Sequence, residues 1–309
     1  DEQFSRTYEF SDINYVTASV GEQERIFEAL CKFLDSMDAE FQITFVNKNK
    51  DMSKFRENVL FPMRCDEFDN LRENYNSLLE NAILEGRQGI EQKRYLTLTV
   101  KRKTYEEARI YFHTMDSIVR KGFAQMGSEI RELDAKERLR VLHDFYRLGE
   151  EEEFSFDFDS CTKLRRDYKS DICNSRLKYY PTYIQDERKV TRALFVKKFP
   201  VALSDRFLND LAELPVHSVV SVNSVPIPKE VTTQVLERKY MGIESDIIKQ
   251  QRIRNKNLDF SSEIAYRKRV EKEEIESIMD DVRENDQRLF FTAVTILICA
   301  SSKLSLIHI

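Results

Sequence analysis

The chain has 309 residues, of which 41% are hydrophobic and 33% charged, a balance that buries one or two cores and excludes both disorder and a series of membrane spans. Only 7 glycines and 6 prolines occur, which excludes collagen-like, linker-like and many-turned all-β architectures. The net charge of −5 offers no global attraction for nucleic acid or anionic lipid, so any such contact falls to a local patch.

Residues 21–37 place Ile26, Phe27, Leu30, Phe33, Leu34 and Met37 on one helix face, at the i, i+3, i+4, i+7 spacing of an amphipathic helix. Phe41, Ile43 and Phe45 then alternate with polar residues as in a half-buried strand, and the polar run 47–50 reads as a loop. A second helix is predicted over 69–86 through Leu71, Tyr75, Leu78 and Leu79, ending at Gly86. Leu96, Leu98 and Val100 form the next strand. Thr104 with Glu107 has the capping-box form, as does Asp134 with Glu137, and each opens a helix. Residues 154–181 are aromatic, charged and irregular, and a subdomain boundary is placed near their end.

Strand patterning resumes over 190–199. Ser204 is read as the cap of a short helix through Phe207, Leu208 and Leu211. A strand over 216–225 is closed by Pro226 and Pro228. Two long helical runs follow, with Val235, Ile243 and Ile247 on one and Ile275, Met279 and Val282 on the other, and they fold back as a hairpin. The apolar strand 290–299 is expected to lie as a raw edge and to favour aggregation. The fold class expected is α+β, with antiparallel or mixed sheets, packed helices and a long helical hairpin near the C-terminus. Its expected organisation is an N-terminal subdomain over 1–180 and a second over 181–303 that contains the hairpin at about 229–285.

Both termini read as unusual. Residues 1–6 carry no initiating Met, basic segment or apolar segment, so the chain is expected to begin within a longer protein. Residues 304–309 are expected to be a non-native peptide encoded by a sequencing adapter, with a genuine terminal strand as the alternative.

Gly122 and Gly127 have the glycine spacing of a P-loop, but Ser128 and Glu129 stand where a lysine and a hydroxyl residue would hold phosphate and magnesium. The expectation is a helix end with Gly127 as a left-handed cap. The acids of 150–159 have the oxygen chemistry of a cation site, yet an edge strand with Phe154, Phe156 and Phe158 facing inward is the favoured reading. His143 and Asp144 are adjacent on a helix and diverge by about a hundred degrees, so no base-and-orienter pair is expected of them. The five cysteines show no metal-ligand spacing and read as buried hydrophobes in a reducing compartment. Catalytic, cofactor and metal residues are therefore none. The candidate docking residues are Arg252, Arg254, Lys256, Arg267, Lys268 and Arg269, which gather positive charge at the hairpin tip.

Several segments together resemble the N-terminal region of the conjugal-transfer ATPases of type IV secretion systems, in the form carried by integrative conjugative elements of Gram-positive bacteria. They are residues 10–15, 85–87 with the strand 94–100, 137–146 with the acids after it, 199–206, 213–215 and 286–288. The resemblance implies a parent with an N-terminal α+β docking region and a C-terminal P-loop domain that binds ATP and magnesium. It implies partners among the channel and membrane proteins of the secretion system, contact with the parent's own ATPase domain, a homo-hexameric parent and a cytoplasmic position at the inner face of the membrane. No ATP-binding residue carries over, and direct nucleic-acid binding is not expected. The competing readings are a stand-alone helical interaction scaffold and an enzyme built on scattered carboxylates such as Glu152, Asp157 and Asp159.

Overall fold

In the computed structural model the described residues are 2–49, 58–84, 90–147, 154–165, 167–173, 176–186, 189–199, 206–214, 216–256, 266–284, 287–300, 302–303 and 306. In chain order the first half contains β1 (Glu2–Phe10), α1 (Val20–Asp35), β2 (Glu40–Asn49), α2 (Asp69–Leu84), β3 (Ile90–Arg102), α3 (Tyr105–Met126), β4 (Ile130–Glu132) and α4 (Ala135–Tyr146). Then come α5 (Phe158–Leu164), α6 (Lys169–Ile172), β5 (Lys178–Tyr179), β6 (Ile184–Gln185), β7 (Val190–Phe195), α7 (Arg206–Ala212), β8 (Ser218–Pro226), α8 (Lys229–Lys256), α9 (Tyr266–Glu284) and β9 (Phe290–Ala300). The class is α+β, as the patterning predicts.

All nine strands share one sheet, in the order β4-β1-β3-β2-β8-β9-β7-β6-β5, and every pairing is antiparallel. The crossover β1-α1-β2 leaves room for β3 between its strands, and β3-α3-β4 leaves room for β1. That is the split βαβ arrangement of ferredoxin-like sheets. A second split crossover, β7-α7-β8, encloses β9 in the same way. The two units meet where β2 pairs with β8, from Phe41 opposite Ser224 to Asn47 opposite Ser218. The boundary placed near residue 180 thus falls in the small edge hairpin β5–β6, and strands from both halves belong to one sheet.

One face of the sheet is covered by α1, α3 and α7. Phe41, Leu96, Leu98 and Val100 meet Ile26, Phe33, Phe112, Met115 and Phe123 there, and Phe45, Val220 and Val222 meet Leu208 and Leu211 of α7. α1 opens where the Glu22 carboxylate accepts from the Ser19 N–H at 3.2 Å. In α3 the Thr104 hydroxyl accepts from the Glu107 N–H at 3.3 Å, and the helix ends at Gly127, whose φ of +81° is the left-handed conformation glycine adopts without strain. Residues 122–126, with the glycine spacing of a P-loop, are therefore helical. The opposite face receives α4, whose Val141 and Phe145 pack on Val46, Tyr95, Leu133 and Val219.

Three expectations fail, each for a tertiary reason. β2 continues through the polar run to Asn49, because neighbours bond what alternation alone marks as loop. Asn47 is buried and its amide donates to the Ala212 carbonyl at 2.6 Å, the Leu214 carbonyl at 3.1 Å and the Ser218 hydroxyl at 3.1 Å. The edge strand over 154–158 is absent, since Asp157 caps α5 by accepting from the N–H groups of Asp159 and Ser160. Phe156 is buried while Phe158 is exposed; Glu150 to Glu153 lie outside the described residues, as does Ser204. Finally, β9 is no raw edge. It runs between β8 and β7, paired along both sides, and the sheet's outer strands β4 and β5 are short, as edges that resist aggregation are. Of residues 304–309, Leu306 is described, buried against Val190 and Ala300.

α1 and α3 approach closely at Gly122, where an added Cβ would lie 2.5 Å from Cδ2 and 3.3 Å from Cβ of the buried Phe33. The contact reaches the root of the side chain, so the ring cannot simply swing away. Gly122→Ala should gain about 1 kcal/mol in helix propensity but lose about 1–3 kcal/mol to overpacking. A lowered urea midpoint is the expected outcome, measured against wild type.

Candidate functional site

A cluster of ionisable side chains lies where α4 crosses the face of β1, β3 and β2. Lys48, carried into the sheet by the continued strand, places its Nζ 2.6 Å from Oδ2 of Asp144 and 3.8 Å from Glu91. Both Lys48 and Asp144 are buried. His143, also buried, brings Nδ1 to 3.2 Å from Oδ1 of the same carboxylate and sets its ring against Phe154, centroids 5.1 Å apart. The adjacent pair that helix geometry alone would splay apart is thus drawn together, because both residues sit at the buried end of α4.

Beside this trio opens a pocket of about 550 Å³. Its wall carries four cations, Lys48, Lys93, Arg131 and Arg140, and four anions, Glu9, Glu91, Glu137 and Asp144. Glu9 meets Lys93 at 3.0 Å and Arg131 at 2.5 Å, and Arg131 also meets Glu137 at 2.6 Å. Burial alone would raise the Glu9 pKa, but the hydrogen bonds and charges of Lys93 and Arg131 outweigh it and hold the carboxyl below its ordinary 4.5. The paired charges fasten α4 to the sheet and leave the pocket without a net charge for an ionic substrate. His143 is 2% exposed. Among the described residues no group of three or more His, Cys, Asp or Glu side chains could hold a metal.

The second candidate is the hairpin. Its seam is a small core of Tyr240, Ile243 and Ile247 from α8 against Ile275 and Met279 from α9. Lys272 bridges the seam to Glu244 at 3.0 Å and lies over the Tyr240 ring. Of the predicted docking residues, Arg252 and Lys256 are exposed near the end of α8, and Arg254 is half-buried. Lys268 is held inside the hairpin, 3.0 Å from Glu271 and 3.2 Å from Asp246. These bonds, Glu271 first and Asp246 next, raise its pKa. Arg269 is exposed and lies 3.7 Å from Glu273. The Arg267 side chain and residues 257–265 lie outside the described residues. The structure thus leaves Arg252 and Lys256 exposed near the end of α8 and turns Lys268 to an internal duty, a division that depends on hairpin register.

The third is an arm inserted between β2 and β3. Asn76 clamps its base, accepting from the Phe61 N–H and donating to the Phe61 carbonyl, both at 2.9 Å, and Phe61 meets Tyr75 edge to face. Arg72 binds Asp66 and Asp69. Leu71, Tyr75 and Leu78 form one stripe of α2 and are 65%, 51% and 67% exposed. The periodicity that predicts this helix marks a stripe whose described side chains are exposed. No described helix is long and apolar enough to cross a membrane.

Removing one member of the buried pair should expose its cost. Asp144→Leu leaves Lys48 buried without its closest partner and should destabilise by about 3–5 kcal/mol, whereas Lys48→Met with Asp144→Leu should recover most of that. Urea unfolding of both singles and the double measures the coupling. The depressed pKa of Glu9 means that it stabilises the fold above its unfolded value of 4.5 and loses that contribution as pH falls from there through the folded value. Glu9→Gln should therefore cost about 1 kcal/mol near neutral pH and little in strong acid, read as converging unfolding midpoints.

Compared with protein-family models and with curated proteins, the chain matches none.

Proposed function

We propose that this chain is a docking and assembly region of a conjugal-transfer ATPase of the type IV secretion kind, binding proteins rather than transforming a substrate. The observation that carries the reading is the pair of helical projections on the sheet, the α2 arm and the α8–α9 hairpin, which present apolar and charged surface outward. Met241, Ile248 and Ile253 of α8 are exposed beside Arg252 and Lys256, although the same helix buries Ile243 and Ile247. Apolar side chains interleaved with charge on a protruding helix are the composition of a protein-binding face. The neutralised pocket and sealed His143 favour the same reading over an enzyme built on scattered carboxylates. The segments that resemble the ATPase family supply the rest: channel and membrane proteins as partners, a position at the inner face of the membrane, and ATP and magnesium confined to a separate P-loop domain.

The test is co-purification from detergent-solubilised membranes after co-expression with the channel proteins of a type IV secretion system from an integrative conjugative element of a Gram-positive bacterium. The chain should be captured with them, should sediment with membranes only when they are present, and should not turn over ATP. Capture by none of them, or turnover by the purified chain, would overturn the proposal. Charge reversal of Arg252 and Lys256 should weaken capture about tenfold if the hairpin end is the contact.

A further inference from the structure

We propose that the outer edge of β7, from Ala193 to Phe195, takes up an extended acidic peptide of a partner protein as an added strand of the sheet. The inference goes beyond the reading above: it stands on the sheet and holds whichever family the chain belongs to. β7 is paired with β9 along its whole length, Val190 to Phe195. On its other side β6 reaches Val190 and Thr191, and among the described residues no strand lies beyond them. β6 begins where the hairpin from β5 has just turned, the Tyr180 N–H donating to the Tyr183 carbonyl at 2.9 Å across Pro181 and Thr182. The phase of the ladder decides what the rest of the edge offers. Val196 donates its N–H to the Val294 carbonyl at 3.0 Å, so it faces β9, and alternate residues of a strand face the same way. Leu194 therefore bonds to β9 as well, while Ala193 and Phe195 turn their N–H and C=O groups outward, two donors and two acceptors in a row.

The side chains along this edge are apolar and open. Phe195 is 72% exposed on one face of the sheet and Leu194 44% exposed on the other. Unpaired backbone groups flanked by apolar side chains are a template for another strand. The far flank of the same sheet shows how such an edge is otherwise closed. β1 also outruns its neighbour, since β4 reaches Tyr8, Glu9 and Phe10, but there Arg138 donates to the Ser5 carbonyl at 2.7 Å and to its hydroxyl at 2.6 Å. Charge selects the occupant of the β7 edge. Residues 176–199, which carry β5, β6 and β7, hold seven cations against two acids, a net +5 in a chain whose sum is −5. Lys178, Lys197 and Lys198 are exposed. Acidic side chains on an incoming strand are drawn to this margin, whereas the same edge of a second copy would set like charges together. A single-stranded nucleic acid is also negative, but phosphate oxygens only accept hydrogen bonds. It would satisfy the two N–H groups and leave the carbonyls of Ala193 and Phe195 facing anions, while a peptide backbone supplies donors and acceptors alternately, as the edge does.

Fluorescence anisotropy with the full chain and a labelled peptide of sequence DEVTVTVED tests the site. The acidic peptide should bind, and its affinity should fall about tenfold from low to high salt. The basic peptide KKVTVTVKK should bind about tenfold more weakly, and so should the acidic peptide N-methylated at every central residue, which keeps its charge and loses its donors. Amide hydrogen exchange should show Ala193 and Phe195 slowed by the acidic peptide. Lys197→Glu with Lys198→Glu alters exposed side chains and should shift the preference towards the basic peptide. Phe195→Pro removes a donor that faces away from β9 and should weaken binding about tenfold; if it lowers the unfolding midpoint, the charge variant and the methylated peptide carry the test. No binding of the acidic peptide, equal binding of its methylated form, or protection that falls elsewhere would overturn the proposal. An oligothymidylate that binds more tightly and protects the same two amides would overturn the peptide as occupant. None of these readouts involves the channel proteins, so this site and the docking role proposed above can fail separately.

Discussion

The ladder between β2 and β8 is the constraint on which the rest of the molecule depends. Each flanking unit is a split βαβ arrangement whose outermost strand would otherwise present a long row of unpaired N–H and C=O groups. Joining them removes both open edges at once, with a net gain of about 1 kcal/mol per backbone hydrogen bond. The ends of the seam are pinned by side chains. At one end the Asn47 amide ties β2 to Ala212, Leu214 and Ser218. At the other, Arg288 donates its guanidinium to the Met37 carbonyl and its N–H to Asp35, and Phe290 meets Phe41 edge to face at 5.5 Å.

Once that seam fixes the sheet, the position of α4 follows. Its apolar side chains meet Val46, Tyr95 and Val219, residues from strands on both sides of the seam. Lys48 and Asp144 then lock one orientation. A buried ion pair adds little net stability over an apolar pair of similar volume, so its consequence here is which face of α4 meets the sheet. The same closure draws in His143 and buries it beside the Asp144 carboxylate.

The helical projections are free of these constraints. Both are inserted between strands that are neighbours in the sheet, β2 with β3 and β8 with β9, so the ladders form whatever the length of the insertion. The second insertion is long enough to supply two helices and cover its own apolar seam. The first supplies α2, and its stripe stays open. The two insertions leave the central strands at opposite ends.

Much of this was legible in the residues. Periodicity located α1, α2, α3, α8, α9 and most strands, because apolar spacing of 3.6 or 2 is imposed locally by burial of one face. The caps at Thr104 and Asp134 and the left-handed Gly127 were equally readable, since each satisfies groups within four residues of itself. Of the candidate site, the sequence showed the basic residues near the hairpin tip but could not divide them, because Lys268 is claimed by Asp246 across the seam. Lys48 and Asn47 read as loop, for their partners lie far along the chain. Pairing of β9 on both sides, the joining of two units into one sheet and the meeting of His143, Asp144 and Lys48 were decided by tertiary structure alone. The physical reason is common to all of them: a polar group in a strand, a strand at an edge and a charge on a helix take their meaning from what the fold sets opposite them.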